Sequence, residues 1–262
     1  MRLIKKEYRK YWVLSVWVVI IGYLIFSFGV IGSNRNASLC SALIVEIDND
    51  DGHCFVQEYE VLRLLKIEGI KVIGMPLIKI NTTTIETIIS RHPSIKKVAV
   101  YKTINGELKI DVQQPKPIIR IISKKGQSFY FDEDGLPMPA SLHYTAHLLV
   151  ATGNIPNVNF SSSDEKIETP EIFQQLYEMA KFINEEETWK AMFVQIYVNK
   201  KNKFELVPRI GNQKICFGGF ENFKRKFAKL EALYTQGFSK YGWSKYSAID
   251  LKFKNQVVCT RK

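Results

Sequence analysis

The sequence predicts an α+β protein in three parts: a single N-terminal transmembrane helix, a strand–helix–helix–strand–strand unit, and a larger, mostly antiparallel β domain with two or three helices. Three observations predict it. Residues 11–31 form an apolar run with no charged side chain. That is long enough for the roughly 20 helical residues needed to cross a hydrocarbon core about 30 Å thick. Apolar residues then recur at helical spacing before Asn105-Gly106, the strongest short hairpin signal. Beyond Pro115-Lys116-Pro117, short strand patterns dominate.

The parts divide as a basic stub over residues 1–10, the transmembrane helix over 11–32, a short polar stalk over 33–41, a first domain over 42–115 and a second over 116–262. Orientation follows from the flanks. Arg2, Lys5, Lys6, Arg9 and Lys10 precede the run, and the first cation after it is Arg35. Positive charge stays cytoplasmic, so the N-terminus is inside and the bulk is outside. The rival reading, a cleaved signal peptide, needs an apolar core of 7–15 residues and a small-residue cleavage site. The run is longer and no such site follows it.

In the first domain, Leu43–Ile47 reads as a strand and Val56–Glu68 as a helix with Val61, Leu62, Leu64 and Leu65 on its apolar face, stopped by Gly69. Asn81 or Thr82 caps a second helix carrying Ile85, Ile88 and Ile89, which His92-Pro93 closes. Ile95–Thr103 and Glu107–Val112 then pair across Asn105-Gly106. In the second domain, strands are expected at Ile118–Ile122, Phe129–Phe131, Leu136–Pro139 and Leu148–Thr152, with a turn at Asp132–Gly135. A helix follows Thr169-Pro170, with proline in its first turn. Phe193–Val198, Phe204–Val207 and Lys214–Phe217 form a meander, Glu221–Thr235 is an amphipathic helix, and a final strand pair covers Ala248–Phe253 and Val257–Thr260.

The formal net charge is +11, but +5 of it lies in the first 35 residues. The remainder is spread too thinly for a nucleic-acid footprint and reads as a solvated Lys-rich surface. Cys40, Cys54, Cys216 and Cys259 are widely spaced with no C-x-x-C pair, which excludes a zinc finger and a thioredoxin-type motif; each reads first as a small buried hydrophobe. Catalytic constellations are weak. His143 and His147 have the i, i+4 spacing of two zinc ligands on a helix but no third ligand nearby. Ser94-Ile95-Lys96-Lys97 matches S-x-x-K, yet its serine enters a strand and no K-T-G companion exists. Asp132–Gly135 lacks the ligand spacing of a calcium loop. No cofactor motif is present, and the expectation is a protein without enzyme activity, metal or cofactor.

Four segments carry a resemblance. His92-Pro93-Ser94-Ile95-Lys96-Lys97-Val98 is similar to the "hP-x-I-x-x-V" entry of a POTRA hairpin. Leu108–Pro117 resembles its "L-x-I-x-V-x-E-x-x-P" exit. Phe129–Gly135 resembles a "Y-x-D-x-x-G" turn, and Ile249-Asp250-Leu251-Lys252-Phe253 a terminal "I-D-L-R-Y". In this order, behind one anchor, they resemble the bacterial division family FtsQ/DivIB, with a POTRA-like first domain. The resemblance implies a scaffold at the division site of the inner membrane, with division proteins of the FtsB and FtsL type docking by strand addition on the last strands of the second domain. Carried over by position, the binding strip is Leu251, Lys252, Phe253, Asn255, Gln256, Val257 and Val258, with a basic site near Lys201. Lys252 stands where the family has arginine and Phe253 where it has tyrosine, so the forked pair and the hydroxyl are lost. Other division components are expected at the POTRA-like domain. Two rivals stand beside this reading. A POTRA-bearing envelope transport or assembly component would carry several repeats or a barrel's run of strands. A membrane-anchored extracytoplasmic hydrolase would place a nucleophile beside a base, which the four histidines do not offer.

Overall fold

The computed structural model describes residues 8–48, 52, 54–160 and 170–262. The cations at 2, 5 and 6, residues 49–51 beyond the first expected strand and Thr169 ahead of the expected helix lie outside the described residues. The first helix, α1 (Tyr8–Ala37), covers the apolar run and continues through the segment expected as the start of the stalk. Its described side chains, residues 11–26, are all exposed, Trp12 at 69% and Phe26 at 71%. Among the described residues, no helix is long and apolar enough to cross a membrane, and the side chains of residues 27–32 of the expected span are outside that description.

The chain divides into two compact units, Met1–Glu46 with Glu58–Ile89 and Val98–Val112, and Ile47–Gln57 with Ser90–Lys97 and Gln113–Lys262. In the first, β1 (Ala42–Asp48), β2 (Lys97–Lys102) and β3 (Glu107–Gln113) form a sheet in the order β1-β3-β2 beside α2 (Glu58–Ile67) and α3 (Thr82–Ser90). Glu58 and Glu60 sit favourably in the first turn of α2, and Val61 and Leu65 bury its apolar stripe. Gly69 takes φ +71° to end the helix, so that the Ile70 N–H reaches the Leu65 carbonyl at 2.9 Å. Asn81 is the cap of α3: its Oδ1 accepts the Thr84 N–H at 3.2 Å. Glu86 then accepts the Val100 N–H at 2.8 Å, tying α3 to β2. Central β3 buries Leu108, Ile110 and Val112 and keeps Lys109 and Asp111 off the core, as a half-covered strand should.

The second unit holds a nine-stranded sheet. Its strands are β4 (Pro117–Ile122), β5 (Ser128–Asp132), β6 (Pro137–Pro139), β7 (Leu149–Gly153), β8 (Phe193–Val198), β9 (Phe204–Pro208), β10 (Lys214–Gly218), β11 (Tyr246–Asp250) and β12 (Val258–Arg261). The spatial order is β12-β11-β10-β9-β8-β7-β4-β5-β6. The expected β8-β9-β10 meander is present, but the β4–β7, β7–β8 and β10–β11 pairings are parallel. The physical reason lies in the connections. A parallel join needs a crossover, and here α4 (Glu171–Glu185) with α5 (Glu187–Met192) carries β7 to β8. Likewise α6 (Phe223–Ala232), a π-helical segment (Leu233–Phe238) and α7 (Ser239–Tyr241) carry β10 to β11. The amphipathic helix expected over 221–235 therefore changes pitch after Ala232 rather than ending. One face of the sheet packs on these helices. Phe227 of α6 lies 5.1 Å from Phe217 of β10 and 5.4 Å from Trp189 of α5, ring to ring, and Ile196, Leu206, Ile215 and Ile249 fill the same core. The other face alternates to Tyr197, Glu205, Lys214 and Asp250. All four cysteines are free thiols; Cys40 is buried and the other three half-buried.

Candidate functional site

The C-terminal end of the sheet follows from one turn. Asp250 closes β11 by accepting the Lys252 N–H on Oδ1 at 2.9 Å, while the Leu251 N–H donates to the Cys216 carbonyl at 3.0 Å. That turns Leu251 into the core, where it is 0% exposed. The expected strand to Phe253 therefore stops at Asp250, and the returning strand is Val258–Arg261 rather than Val257–Thr260. β12 pairs antiparallel with β11 through Asp250↔Val258, Ile249↔Cys259 and Ala248↔Thr260. The register shifts at Ser247, whose hydroxyl donates to the Thr260 carbonyl at 3.2 Å. β11 is its single strand neighbour among the described residues, so the outer N–H and C=O groups of β12 face no strand.

The seven strip residues thus separate. Val258, 40% exposed, lies in β12; Leu251 is core, and Val257 is half-buried against it. Lys252, Phe253 (46% exposed), Asn255 and Gln256 project from the β11–β12 loop. Lys201 lies elsewhere. It sits in the β8–β9 turn, its N–H on Asn199 Oδ1 at 2.9 Å. Strand directions put that turn and the β11–β12 loop at the same end of the sheet. Three strand spacings, roughly 14 Å, separate them.

Sequence reasoning missed what holds the loop. Lys229 of α6 donates from Nζ to the Leu251 carbonyl at 2.8 Å and to the Phe253 carbonyl at 2.7 Å. One turn earlier, Arg225 donates to Asn255 Oδ1 at 3.0 Å. A third cation of α6 is also engaged internally: buried Lys226 donates to the Gly219 carbonyl at 2.7 Å and pairs with Glu221 at 3.5 Å. Burial pushes the ammonium pKa values of Lys226 and Lys229 down, and for Lys229 the adjacent Lys226 and Arg225 add to the shift. The spacing Arg225–Lys229 was the available signal. Lys252 is held by Asp250 at 2.8 Å, an ion pair that raises its pKa, and its stem crosses Gly218, where a Cβ would fall 2.7 Å from Lys252 Cγ. Burial raises the thiol pKa values of Cys216 and Cys259.

Other candidate sites do not assemble. His143 and His147 lie outside any helix, and no group of three metal-ligating side chains gathers among the described residues. Asp132 Oδ1 accepts the N–H groups of Asp134 and Leu136 at 3.0 and 2.8 Å, which makes the segment a tight turn. What the C-terminal end can do is non-covalent: offer a backbone ladder beside a braced loop with basic and apolar side chains.

Comparison with known proteins agrees with the architecture. A family model described as "FtsQ/DivIB, C-terminal related" matches residues 116–260, and one described as "POTRA-like domain" matches residues 38–113. The cell division protein FtsQ of Rhodothermus marinus is 23% identical over 210 residues, covering 76% of this chain and 71% of that protein. The chain belongs to the FtsQ/DivIB family of cell division proteins.

Proposed function

We propose that the chain is a non-enzymatic, single-pass scaffold of the division machinery that holds partners of the FtsB and FtsL type by adding a partner strand to β12. Family membership supports the division role. The observation that supports strand addition is the outer side of β12, which meets no strand among the described residues, next to a loop that α6 braces. Bracing lowers the ordering cost of binding, because the loop is held before the partner arrives. Lys252, Lys254, Arg261 and Lys262 favour a partner strand with acidic side chains. The anchor reading rests on the uncharged run at 11–31, its basic N-terminal flank and the exposure of the described α1 side chains; it puts the N-terminus in the cytoplasm and the two domains that follow the helix across the inner membrane.

The test captures an FtsB-type segment on the full chain in nanodiscs. Wild type is expected to retain it. Phe253→Glu should weaken capture about five- to a hundredfold, the equivalent of about 1–3 kcal/mol for a charge left unpaired at the interface. Phe253 is exposed, so the melting temperature should not move. Equal capture by wild type and variant removes the loop from the proposal.

A further inference from the structure

The first unit carries an apolar surface where α1 enters. α1 ends at Ala37, and the four residues that follow draw two other segments to the same end. The Ser38 carbonyl accepts the Leu77 N–H at 2.9 Å, and Leu39 bridges to Pro76. Cys40 exchanges backbone hydrogen bonds with Met75 and Gly74, both at 2.8 Å. The Ser41 N–H donates to the Gly106 carbonyl at 2.9 Å, which places the β2–β3 hairpin tip here too. Each of these segments puts large apolar side chains outward: Leu39 is 57% exposed, Ile73 65%, Ile78 62% and Ile104 94%. Scattered exposed hydrophobics are ordinary, but four drawn to one end by hydrogen bonds mark a contact surface. Lys71, Lys79 and Lys102, all exposed, lie on the same segments.

We propose that this end of the first unit is a lipid-contacting face that seats in the headgroup layer of an anionic bilayer. The proposal rests on the anchor reading, and α1 supplies the reason for the occupant. From the end of the apolar run at Ile31 to Ala37 is about 9 Å of helix, comparable with a headgroup layer of roughly 5–8 Å. Isoleucines among lysines are the chemistry that such a layer accepts: apolar tips reach the acyl boundary and ammonium groups meet lipid phosphates. The face is one end of the unit, because β1 runs away from it and α2 returns from the far end, where Tyr59 is 46% exposed.

The test uses the full chain in nanodiscs, with a photoreactive benzophenone amino acid placed singly at positions 17, 59, 78 and 104. Lipid-mass adducts are expected at 17, 78 and 104 and not at 59. At 78 and 104 they should rise several-fold when phosphatidylglycerol is added to phosphatidylcholine. Combining Lys71→Glu, Lys79→Glu and Lys102→Glu should lower them several-fold while position 17 is unchanged. Adducts at 17 with none at 78 and 104, or protein adducts there in place of lipid, overturn the lipid face and leave the anchor standing. Absence of adducts at 17 overturns the anchor and the lipid face with it.

Discussion

β6 and β12 close the same nine-stranded sheet at opposite ends. β6 is Pro137-Met138-Pro139, paired to β5 through Phe131↔Pro137, Tyr130↔Met138 and Phe129↔Pro139. Two of its three residues have no N–H to donate. Met138 is buried with Phe55, Tyr130 and Ala146, so the strand is also covered on one face. β12 is Val-Cys-Thr-Arg, without proline, and presents Val258 at 40% exposure. An open edge invites pairing with any extended chain, and proteins blunt such edges with proline, cover or charge. One edge here has proline and cover. The other, one residue longer, has neither proline nor such cover, only Arg261 and Lys262 near its end and a braced loop before it.

The largest test of that contrast is Thr260→Pro. Whichever way its N–H points, a ladder donor is lost: inward it unseats β12 from β11, outward it denies the partner. The lost donor leaves a carbonyl unpaired, about 1–3 kcal/mol, and the ring adds its own clash, so capture should fall by about a hundredfold. Capture at wild-type strength would show that β12 takes no part. Lys229→Met comes next. It removes both hydrogen bonds to the loop carbonyls, and about 1–2 kcal/mol should appear as weaker capture, with a smaller fall in melting temperature. A fall in stability with capture unchanged would assign the lysine to folding alone. The reverse experiment opens the blunt edge. Pro137→Val with Pro139→Val restores two donors to β6, and sedimentation should then detect concentration-dependent self-association absent from the wild type; its absence would mean that cover by Phe55 and Ala146 suffices.

The smallest effect belongs to the Asp132–Gly135 turn, which delivers the chain to β6. Burial raises the Asp132 pKa, and the N–H groups of Asp134 and Leu136 oppose the shift without cancelling it. The folded state therefore holds this proton to higher pH than the unfolded chain. Stability from this group is full below the ordinary aspartate value of 3.8 and declines as pH rises through the folded value. Asp132→Asn should flatten that part of the profile, as followed by thermal melts across acid pH.

Much of the fold could be read from local signals. Gly69, Asn81 and Asn105-Gly106 punctuate the first unit because helix ends and hairpins are set by a few neighbouring backbone dihedrals. The meander was readable for the same reason. The three parallel joins were not, since a pattern of alternation names a strand's face and not its neighbour. The seven residues of the expected strip do not stay together in the structure. Leu251 and Phe253 are two residues apart and were expected to share a face; the Asp250 turn sends one inward and the other out. The internal roles of Arg225, Lys226 and Lys229 were not legible because sequence spacing carries no record of what lies across a packed core.

By itself the sequence determined where many elements start and stop, which N-terminal stretch carries no charge, and the family the chain resembles. These depend on residues within one or two turns of each other. Only the tertiary structure decided that β12 stands at the sheet's end, that Lys229 and Arg225 hold the loop before it, and that the segments carrying exposed Leu39, Ile73, Ile78 and Ile104 are hydrogen-bonded together where α1 ends. Those facts depend on groups brought together from distant parts of the chain, where hydrogen-bond satisfaction and core packing choose among many arrangements that local propensity allows equally.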